Sequence, residues 1–410
     1  MAGLIPDTMS EHLHRLMQQS VVQCTSIDSY HSSTHRKLLH FASQTIANNS
    51  NHNWNQYNHY LHLCTHNRLV ATTILIMANT YDHTAKNAEL VSAFSSRIAG
   101  STILVTGVSL GGLGHKFLKE VLVANPATLI LAGRALSKVQ ATADEITSER
   151  ADINVKTLRL DLASFKSVRE AAQTVNGWDD VSAIDVLVNN AGIMCPPFSL
   201  TEDGNENQWQ SNHLGPFLFT NLIMEKILAS SSPRIVSVGS NGARYGGIRF
   251  WDPNFSDGKF YDPFKAYAQT KTANLLFAVS LASKLSKRGL HAYSMHPGVV
   301  LGTALALGSY TTPDQFLKDM ATAEDTYGTK YGGGSIPQTE FKDQTNSVAT
   351  HILAAFSPDI ETEELNGKYF FDAHVADPWK GDYWSWARDP IDAERLWKLS
   401  EEMVGQTFEY

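Results

Sequence analysis

Short apolar runs alternate with amphipathic stretches along the chain from residue 101 onward. Seven runs have the length and β-branched content of buried strands, at 101–107, 128–133, 155–160, 184–190, 234–239, 289–295 and 367–371. Helical patterns separate them, at 113–124, 137–150, 164–175, about 206–229 and after residue 262. Buried strands that alternate with helices predict a parallel sheet covered on both faces. The fold class is therefore α/β, a doubly wound sheet of about seven strands in a single domain.

Residues 1–76 differ in character from the rest. Nine of the 16 histidines fall there, and 48–60 is a biased polar run. Such a tract buries too little apolar surface to offset its ordering entropy, so 1–76 is predicted to be a low-complexity His/Asn-rich extension, disordered or partly helical. Its histidines lack ligand-like spacing to a cysteine or carboxylate, so no metal site is predicted. The folded domain is assigned to 77–410, and Met77 raises the hypothesis that the extension is not part of the working protein.

Charge and cysteine usage narrow the function classes. The net charge is −8 without a basic block, which argues against a nucleic-acid partner and favours a small-molecule ligand. Cys24, Cys64 and Cys195 are widely separated, which suits a reducing compartment such as the cytoplasm. The longest apolar run, 69–77, is far short of the roughly 20 residues that span a bilayer. No stable membrane insertion is therefore expected, and a homo-oligomer is left open.

The turn after the first predicted strand is rich in glycine. In a doubly wound sheet of Rossmann type, this turn holds the phosphates of a dinucleotide. Gly107 would let the strand turn sharply, Gly111 would permit close approach to the pyrophosphate, and Gly114 would let the helix pack on the sheet. Ser109 lies in the same turn and is counted with it. A plain tight turn is the alternative.

Cofactor choice is read at the end of the second predicted strand. An acidic residue there would bind a ribose 2′-hydroxyl, whereas a basic one would accept a 2′-phosphate. The chain has Arg134 and no acid, which predicts NADP(H) rather than NAD because a guanidinium matches phosphate in a bidentate manner. A solvated arginine at a helix start is the alternative.

Two Tyr-x-x-x-Lys pairs compete for the chemistry. Tyr267 and Lys271 lie in an apparent helix, whereas Tyr261 and Lys265 flank Asp262-Pro263, which is typical of a helix N-cap followed by its first residue. Tyr261 would then lie outside the helix. A tyrosine beside a lysine one turn away can donate a proton to a nascent alkoxide, because the ammonium stabilises the phenolate.

The order of these pieces resembles the short-chain dehydrogenase/reductase family, and within it the fungal, retinol-dehydrogenase-like members, from about residue 101 to the end. The last glycine of the turn comes one residue later than is usual in the family. The resemblance implies a catalytic tetrad of Asn212, Ser240, Tyr267 and Lys271. Ser240 would bind the carbonyl oxygen, Asn212 would hold a relay water, and Lys271 would also hold the nicotinamide ribose. Ser237 is a rival for Ser240, and an ordinary helix role is the alternative for Asn212.

The resemblance also implies further cofactor contacts. Asp161 and Leu162 would contact the adenine, and Thr303, displaced by one residue, would bind the carboxamide. The remaining contacts would come from two motifs that follow the fourth and sixth predicted strands, which are Asn190, Ala191 and Gly192 after Asn189, and Pro297 and Gly298 after His296.

The sequence thus predicts an NADP(H)-dependent oxidoreductase that interconverts a carbonyl and an alcohol on a fairly bulky apolar compound. Long connections with aromatic residues, at 241–266 and 301–346, are expected to form the substrate wall. The Trp-rich stretch 377–390 is expected to pack on the sheet edge or a partner subunit. A catalytically silent nucleotide-binding regulator is the main alternative. An interaction protein with a WW module is disfavoured, because Trp54 is the only tryptophan in 1–76.

Overall fold

The structure, a computed structural model, describes residues 81–300, 303, 305, 312–328, 341–379 and 381–410. These residues all belong to one compact unit, Ala71–Tyr410. The predicted extension 1–76 and the hypothesis about Met77 lie outside the described residues.

The strands lie close to their predicted positions. They are β1 Thr102–Thr106, β2 Thr128–Gly133, β3 Asn154–Arg159, β4 Val186–Asn189, β5 Arg234–Val238, β6 His291–Met295, β7 Tyr369–Phe371 and β8 His374–Val375. They form one sheet of order β3-β2-β1-β4-β5-β6-β7-β8, parallel except for the β7–β8 pair. The doubly wound α/β fold is confirmed. The sheet differs from the prediction by β8, whose two residues are too short for a hydrophobic pattern to register.

The helices begin and end as follows: α1 Asn87–Ala93, α2 Ser95–Ile98, α3 Leu113–Val121, α4 Leu136–Glu149, α5 Phe165–Asn176, α6 Asn207–Trp209, α7 Gly215–Leu222, α8 Met224–Leu228, α9 Pro263–Leu285, α10 Pro313–Tyr327, α11 Ala349–Phe356 and α12 Pro390–Val404. Within these described residues, no helix has the length and apolar character needed to cross a bilayer.

Two apolar layers sandwich the sheet, because alternate residues of each strand face opposite sides. In β1, Ile103 and Val105 pack against α1, α3, α4 and α11 on one face. Leu104 packs on the other face with α5, α7, α9 and α12. The fully buried Phe117 and Phe217 lie in the first and second layers respectively, and each contributes about 1.5–3 kcal/mol through burial.

The predicted continuous helix 206–229 is interrupted. A π-helical turn, Gln210–Leu214, separates α6 from α7, and a further break separates α7 from α8. A π turn inserts one extra residue into a helix and shifts the register of the side chains after it. Hydrophobic periodicity alone does not reveal such an insertion.

The start of α9 matches the expectation from the sequence. The Asp262 carboxylate accepts hydrogen bonds from the backbone N–H groups of Phe264 and Lys265, at 3.0 and 2.9 Å, and Pro263 is the first helical residue. The helix then runs between the sheet and α12, so most of its residues are buried. Tyr267 therefore lies inside the helix, and Tyr261 lies before it.

Candidate active site

A cleft of about 730 Å³ opens at the carboxyl ends of the parallel strands. Most of the residues predicted to bind cofactor or substrate line it: Gly107, Ser109, Arg134, Asp161, Leu162, Asn190, Ala191, Gly192, Ser240, Tyr267, Lys271, Pro297, Gly298 and Thr303. Gly111, Gly114 and Asn212 are not part of the lining. The structure therefore brings most of the predicted groups together, and the other three do not face the cleft.

Tyr267 lines the cleft with its phenol side chain. Its side chain is 4% exposed, and burial raises the pKa of its phenol, an effect that a hydrogen bond with the Ser240 hydroxyl opposes. The Ser240 Oγ also accepts a hydrogen bond from the backbone N–H of Gly242 at 2.9 Å. A Cβ at residue 242 would lie 2.9 Å from the Tyr267 ring, so Gly242 allows the two hydroxyls to approach.

Lys271 is buried one turn further along α9. Its Nζ donates a hydrogen bond to the carbonyl of Val238 at 2.9 Å and lies 5.5 Å from the centroid of the Tyr267 ring. Burial lowers the pKa of its ammonium to about 8. The sequence indicates only the positive charge of this lysine, whereas in the folded chain burial acts on both side chains and keeps the phenol protonated.

Ser240 rather than Ser237 reaches the cleft. Ser240 follows the end of β5 and begins a 3₁₀ turn, Asn241–Tyr245. Ser237 lies within β5, is 2% exposed and does not line the cleft.

Asn212 lies in the π turn and contacts the loop that follows β4. Its Oδ1 accepts a hydrogen bond from the backbone N–H of Ile193, and its Nδ2 donates to the carbonyl of Ile193, both at 2.8 Å. The Nδ2 also donates to the Thr270 hydroxyl at 3.1 Å, which in turn donates to the carbonyl of Tyr267 at 2.7 Å. The amide thus joins the loop after β4 to the helix of Tyr267.

The glycine turn is braced from the end of β4. Gly107 has φ +73°, and a Cβ there would lie 2.7 Å from the Cα of Ala191. The Asn190 amide donates to the carbonyls of Thr106 and Gly107, at 2.8 and 3.1 Å. A Cβ at Gly114 would lie 2.7 Å from the same amide nitrogen. These contacts place Gly107 in the wall of the cleft and Gly114 behind it.

Gly111 differs from its prediction. It has φ +76°, and a Cβ there would meet no heavy atom within 4 Å. Gly112 lines the cleft instead and is the residue before α3. Gly111 therefore serves the shape of the turn, whereas Gly112 and Ser109 offer their surfaces to a ligand.

The end of the cleft beside β2 and α4 is basic. Arg134 is exposed immediately after β2, and Lys138 lines the same end. Arg134 also lines an adjoining cavity of about 660 Å³, together with Arg159 and Lys166. Asp161 closes the turn after β3, where its carboxylate accepts a hydrogen bond from the N–H of Ala163 at 3.1 Å.

The opposite end is formed by residues after β6. Gly298 has φ +84°, and His296 accepts a hydrogen bond from the N–H of Asn241 at 3.3 Å. The Thr303 hydroxyl contacts the carbonyl of Val300 at 3.4 Å. This contact network ties the segment after β6 to the residue that follows Ser240.

The aromatic connection 241–266 contributes less to the cleft than predicted. Among its six aromatic residues before α9, Tyr245 lines the cleft, whereas Phe255 is buried against Tyr261 with ring centroids 5.7 Å apart. Trp251 and Phe260 are 92% and 59% exposed. The connection is fastened to α9 by Gln269, which bonds the N–H of Arg249 and the carbonyl of Pro253, and by Thr272, which donates to the carbonyl of Gly246.

The segment 301–346 is described only in part. Tyr310, Tyr331 and the side chain of Phe316 lie outside the described residues. Leu305 and Met320 line the cleft, and Tyr327 packs beside Tyr245 with ring centroids 5.6 Å apart. The Trp-rich stretch 377–390 packs beside β7, as expected, and the Trp386 indole N–H donates to the carbonyl of Ala243 at 3.1 Å.

Sequence reasoning missed Gly112, Lys138, Arg244 and Met320 as lining residues. Lys138, in the first turn of α4, lies close to Arg134 in the sequence, and this closeness could have indicated that both line the cleft. Arg244 and Met320 lie in long connections, where sequence patterns do not indicate which side chains point inward.

A family model described as short chain dehydrogenase matches residues 101–312. The chain is similar to an uncharacterised oxidoreductase of Schizosaccharomyces pombe, with 35% identity over 282 residues that cover 67% of this chain and 77% of the relative. It is also similar to retinol dehydrogenase 12 of Mus musculus, with 33% identity and coverage of 76% and 89% respectively.

Solved structures share the fold. A crystal structure of an uncharacterised Mycobacterium paratuberculosis protein is similar with a TM-score of 0.54 and 28% identity, covering 76% of this chain and 96% of that chain. A Pseudomonas aeruginosa RhlG/NADP complex has a TM-score of 0.51 at 20% identity, covering 68% of this chain and 96% of that one. The second likeness extends to the fold alone.

Proposed function

Because the chain belongs to the short-chain dehydrogenase/reductase family and is a carbonyl–alcohol oxidoreductase, we propose that it uses NADP(H) and acts on a fairly bulky, apolar small molecule. The observation that carries the proposal is the meeting of Ser240, Tyr267 and Lys271 with the glycine turn in one cleft. The volume of about 730 Å³ is within the range usual for small-molecule sites.

Tyr267 is the proton donor in this proposal. Its raised pKa keeps the phenol protonated at neutral pH, which is the state that can give a proton to a nascent alkoxide. The Ser240 hydroxyl, in contact with the phenol, would hydrogen-bond the same carbonyl oxygen. Bound NADPH would supply the hydride.

Lys271 would hold positive charge beside the phenol. With a pKa of about 8, its ammonium is largely protonated at neutral pH despite burial. That charge would stabilise a phenolate once the proton has left Tyr267. A buried ammonium also gains from any hydroxyl acceptors that enter the cleft, which suits the ribose contact expected from the family.

The side chain of Asn212 has a positioning role in this proposal. Its side-chain oxygen is bonded to Ile193, and its side-chain nitrogen is shared between Ile193 and Thr270. We therefore assign the side chain to positioning the loop after β4 against α9. The relay water that the resemblance implies at Asn212 stays a prediction.

The residues present fit a dinucleotide with a 2′-phosphate. Gly107 keeps the wall of the turn free of a side chain, and α3 begins directly after Gly112, so its N-terminal N–H groups lie beside the turn. Arg134 and Lys138 add two cations at the other end of the cleft. These features support NADP(H) over NAD.

The substrate end is apolar and carries no unbalanced charge among the described lining residues. Ile193, Met194, Tyr245, Phe264 and Met320 form much of it. Arg244 also lines it, but Glu324 neutralises the guanidinium. This composition supports an uncharged apolar substrate.

The test is NADPH oxidation over a panel of ketones and aldehydes of increasing size. Tyr267→Phe should lower kcat/KM by about a thousandfold while NADPH binding is retained. Tyr261→Phe is the matched control, because Tyr261 does not line the cleft and its hydroxyl bonds Gln208 and the carbonyl of Pro196. No turnover of any carbonyl by the wild type, with tight NADPH binding, would instead favour the nucleotide-binding regulator.

A further inference from the structure

Helix α10 presents one face to the substrate end of the cleft. Leu317, Met320, Ala323 and Tyr327 recur at helical spacing and pack with Tyr245, Phe264 and Tyr267. Met320 lines the cleft itself. The position of α10 therefore sets the depth of the space available to a substrate.

A buried ion pair fastens this face to the turn that follows Ser240. The Arg244 guanidinium bonds the Glu324 carboxylate, and the two side chains are 5% and 4% exposed. Arg244 also donates to the carbonyl of Asn241 at 3.0 Å and to the Tyr245 hydroxyl at 2.8 Å. The Tyr245 hydroxyl in turn contacts Glu324 at 3.4 Å.

The pair joins residues 80 positions apart in the chain. Its directional bonds end on the 3₁₀ turn Asn241–Tyr245, whose first residues also hold the Ser240 hydroxyl. A second contact, from the Tyr327 hydroxyl to the Asp262 carboxylate, ties the end of α10 to the first turn of α9. Two bonds thus attach α10 to the two elements that carry Ser240 and Tyr267.

Apolar packing alone would not need this arrangement. Removing two charges from water is costly, and hydrophobic residues of similar volume often serve stability equally well. A buried pair does add direction, because its bonds form in one arrangement only. The desolvation cost of the pair is accounted for if the role of the pair is to fix the position of α10 rather than to stabilise it.

Resting on the proposed function, we propose that Arg244 and Glu324 form a positioning pair that determines substrate size, by holding Met320 of α10 at a fixed place against the Ser240 turn. Glu324 does not line the cleft, and its hydrogen bonds to described residues go to Arg244 and Tyr245. Its loss should therefore alter the fit of bulky apolar carbonyls and leave the chemical step on small ones intact.

Steady-state kinetics of Glu324→Gln test the pair. KM for a bulky apolar ketone should rise about tenfold, whereas kcat for a small aldehyde and the Kd for NADPH stay unchanged. Asp319→Asn is the matched control on the same helix, since Asp319 accepts only a hydrogen bond from Gln315 among the described residues. An equal change in KM for small and bulky substrates, or none, overturns the proposal.

The double variant Arg244→Met/Glu324→Leu separates positioning from stability. Its melting temperature should recover from that of Glu324→Gln, because no unpaired charge remains buried, but KM for the bulky ketone should stay high. If both the melting temperature and KM recovered, the pair would contribute only to packing, and the proposal would be overturned.

Amide hydrogen exchange of 313–327 gives a readout without turnover. Exchange should be faster in Glu324→Gln than in the wild type and in Asp319→Asn. If the wild type reduces no carbonyl, the proposed function fails, and this measurement still decides whether the pair holds α10. Unchanged exchange in Glu324→Gln would refute the claim that the pair holds α10 in place.

Discussion

The two ends of the cleft are built by different means. The glycine turn is held by backbone groups and short side chains, with Asn190 bonding the carbonyls of Thr106 and Gly107. The substrate end is held by long side chains from distant segments, as in the pair of Arg244 and Glu324. Backbone bracing gives a shape that every member of a fold can share, whereas side-chain bracing can change with each substrate. In this chain the shape of the glycine turn therefore depends on local contacts, and the shape of the substrate end depends on contacts between distant segments.

Gly107→Ala should have the largest effect on the glycine turn, both on its stability and on cofactor binding. The new methyl group would meet the Cα of Ala191 at 2.7 Å in a backbone of φ +73°, which we expect to cost about 3 kcal/mol and to abolish tight NADPH binding. Urea unfolding and fluorescence titration with NADPH measure both effects.

Gly111→Ala is the matched control, with φ +76° but no neighbour within 4 Å. It should cost only about 1 kcal/mol. Equal losses in the two variants would show that the backbone conformation, and not the contact with β4, sets the requirement for glycine.

Lys271 lies where the two ends meet, and its burial makes stability depend on pH. Its pKa falls from an ordinary 10.5 to about 8, so between these values the unfolded chain binds more protons and stability rises with pH. Urea unfolding at pH values of about 7 and about 9.5 should show a gain of about 2 kcal/mol in the wild type relative to Lys271→Met. A difference between the two proteins that does not vary with pH would contradict the burial argument.

Arg134→Ala tests whether the basic end of the cleft binds the 2′-phosphate of NADPH. The variant should bind NADPH about tenfold more weakly, with little change for NADH, because a charge-assisted bond to phosphate is lost. Arg159→Ala, at the neighbouring cavity, serves as a control for general loss of positive charge. Equal losses for NADPH and NADH in Arg134→Ala would refute the 2′-phosphate contact.

Tyr327→Phe should have the smallest effect. It removes one bond to Asp262 and leaves the N-cap bonds of that carboxylate to Phe264 and Lys265. We expect a loss of about 1 kcal/mol in urea unfolding. Tyr410→Phe, which removes a hydroxyl bond to Asn221 far along the chain, is the comparison, and a much larger loss in Tyr327→Phe would mean that α10 stabilises the whole fold.

The sequence predicted the positions of the glycine turn and of the start of α9 because their determinants are local. A strand, a glycine turn and a helix lie within a few positions of each other, and Asp262-Pro263 signals the start of α9 by chemistry that depends on adjacent residues. The strands were placed within a few residues for the same reason.

The remainder depends on contacts between distant residues. The aromatic residues at 250–260 carry the same sequence signal as Tyr245, yet Tyr245 reaches the cleft and Trp251 is 92% exposed. The partner of Arg244 lies in another connection, and the opposing effects of burial and of the Ser240 hydrogen bond on the pKa of Tyr267 need the folded surroundings. No periodicity encodes such facts.

The π turn Gln210–Leu214 limits how the chain can change in length. Deleting one residue there would let the helix become regular, but it would also change the directions of the side chains within the turn. Asn212 would then leave the Ile193 backbone that it bonds on both sides. At this point a one-residue deletion is therefore more damaging than most single substitutions, and the number of residues is itself part of what the site requires.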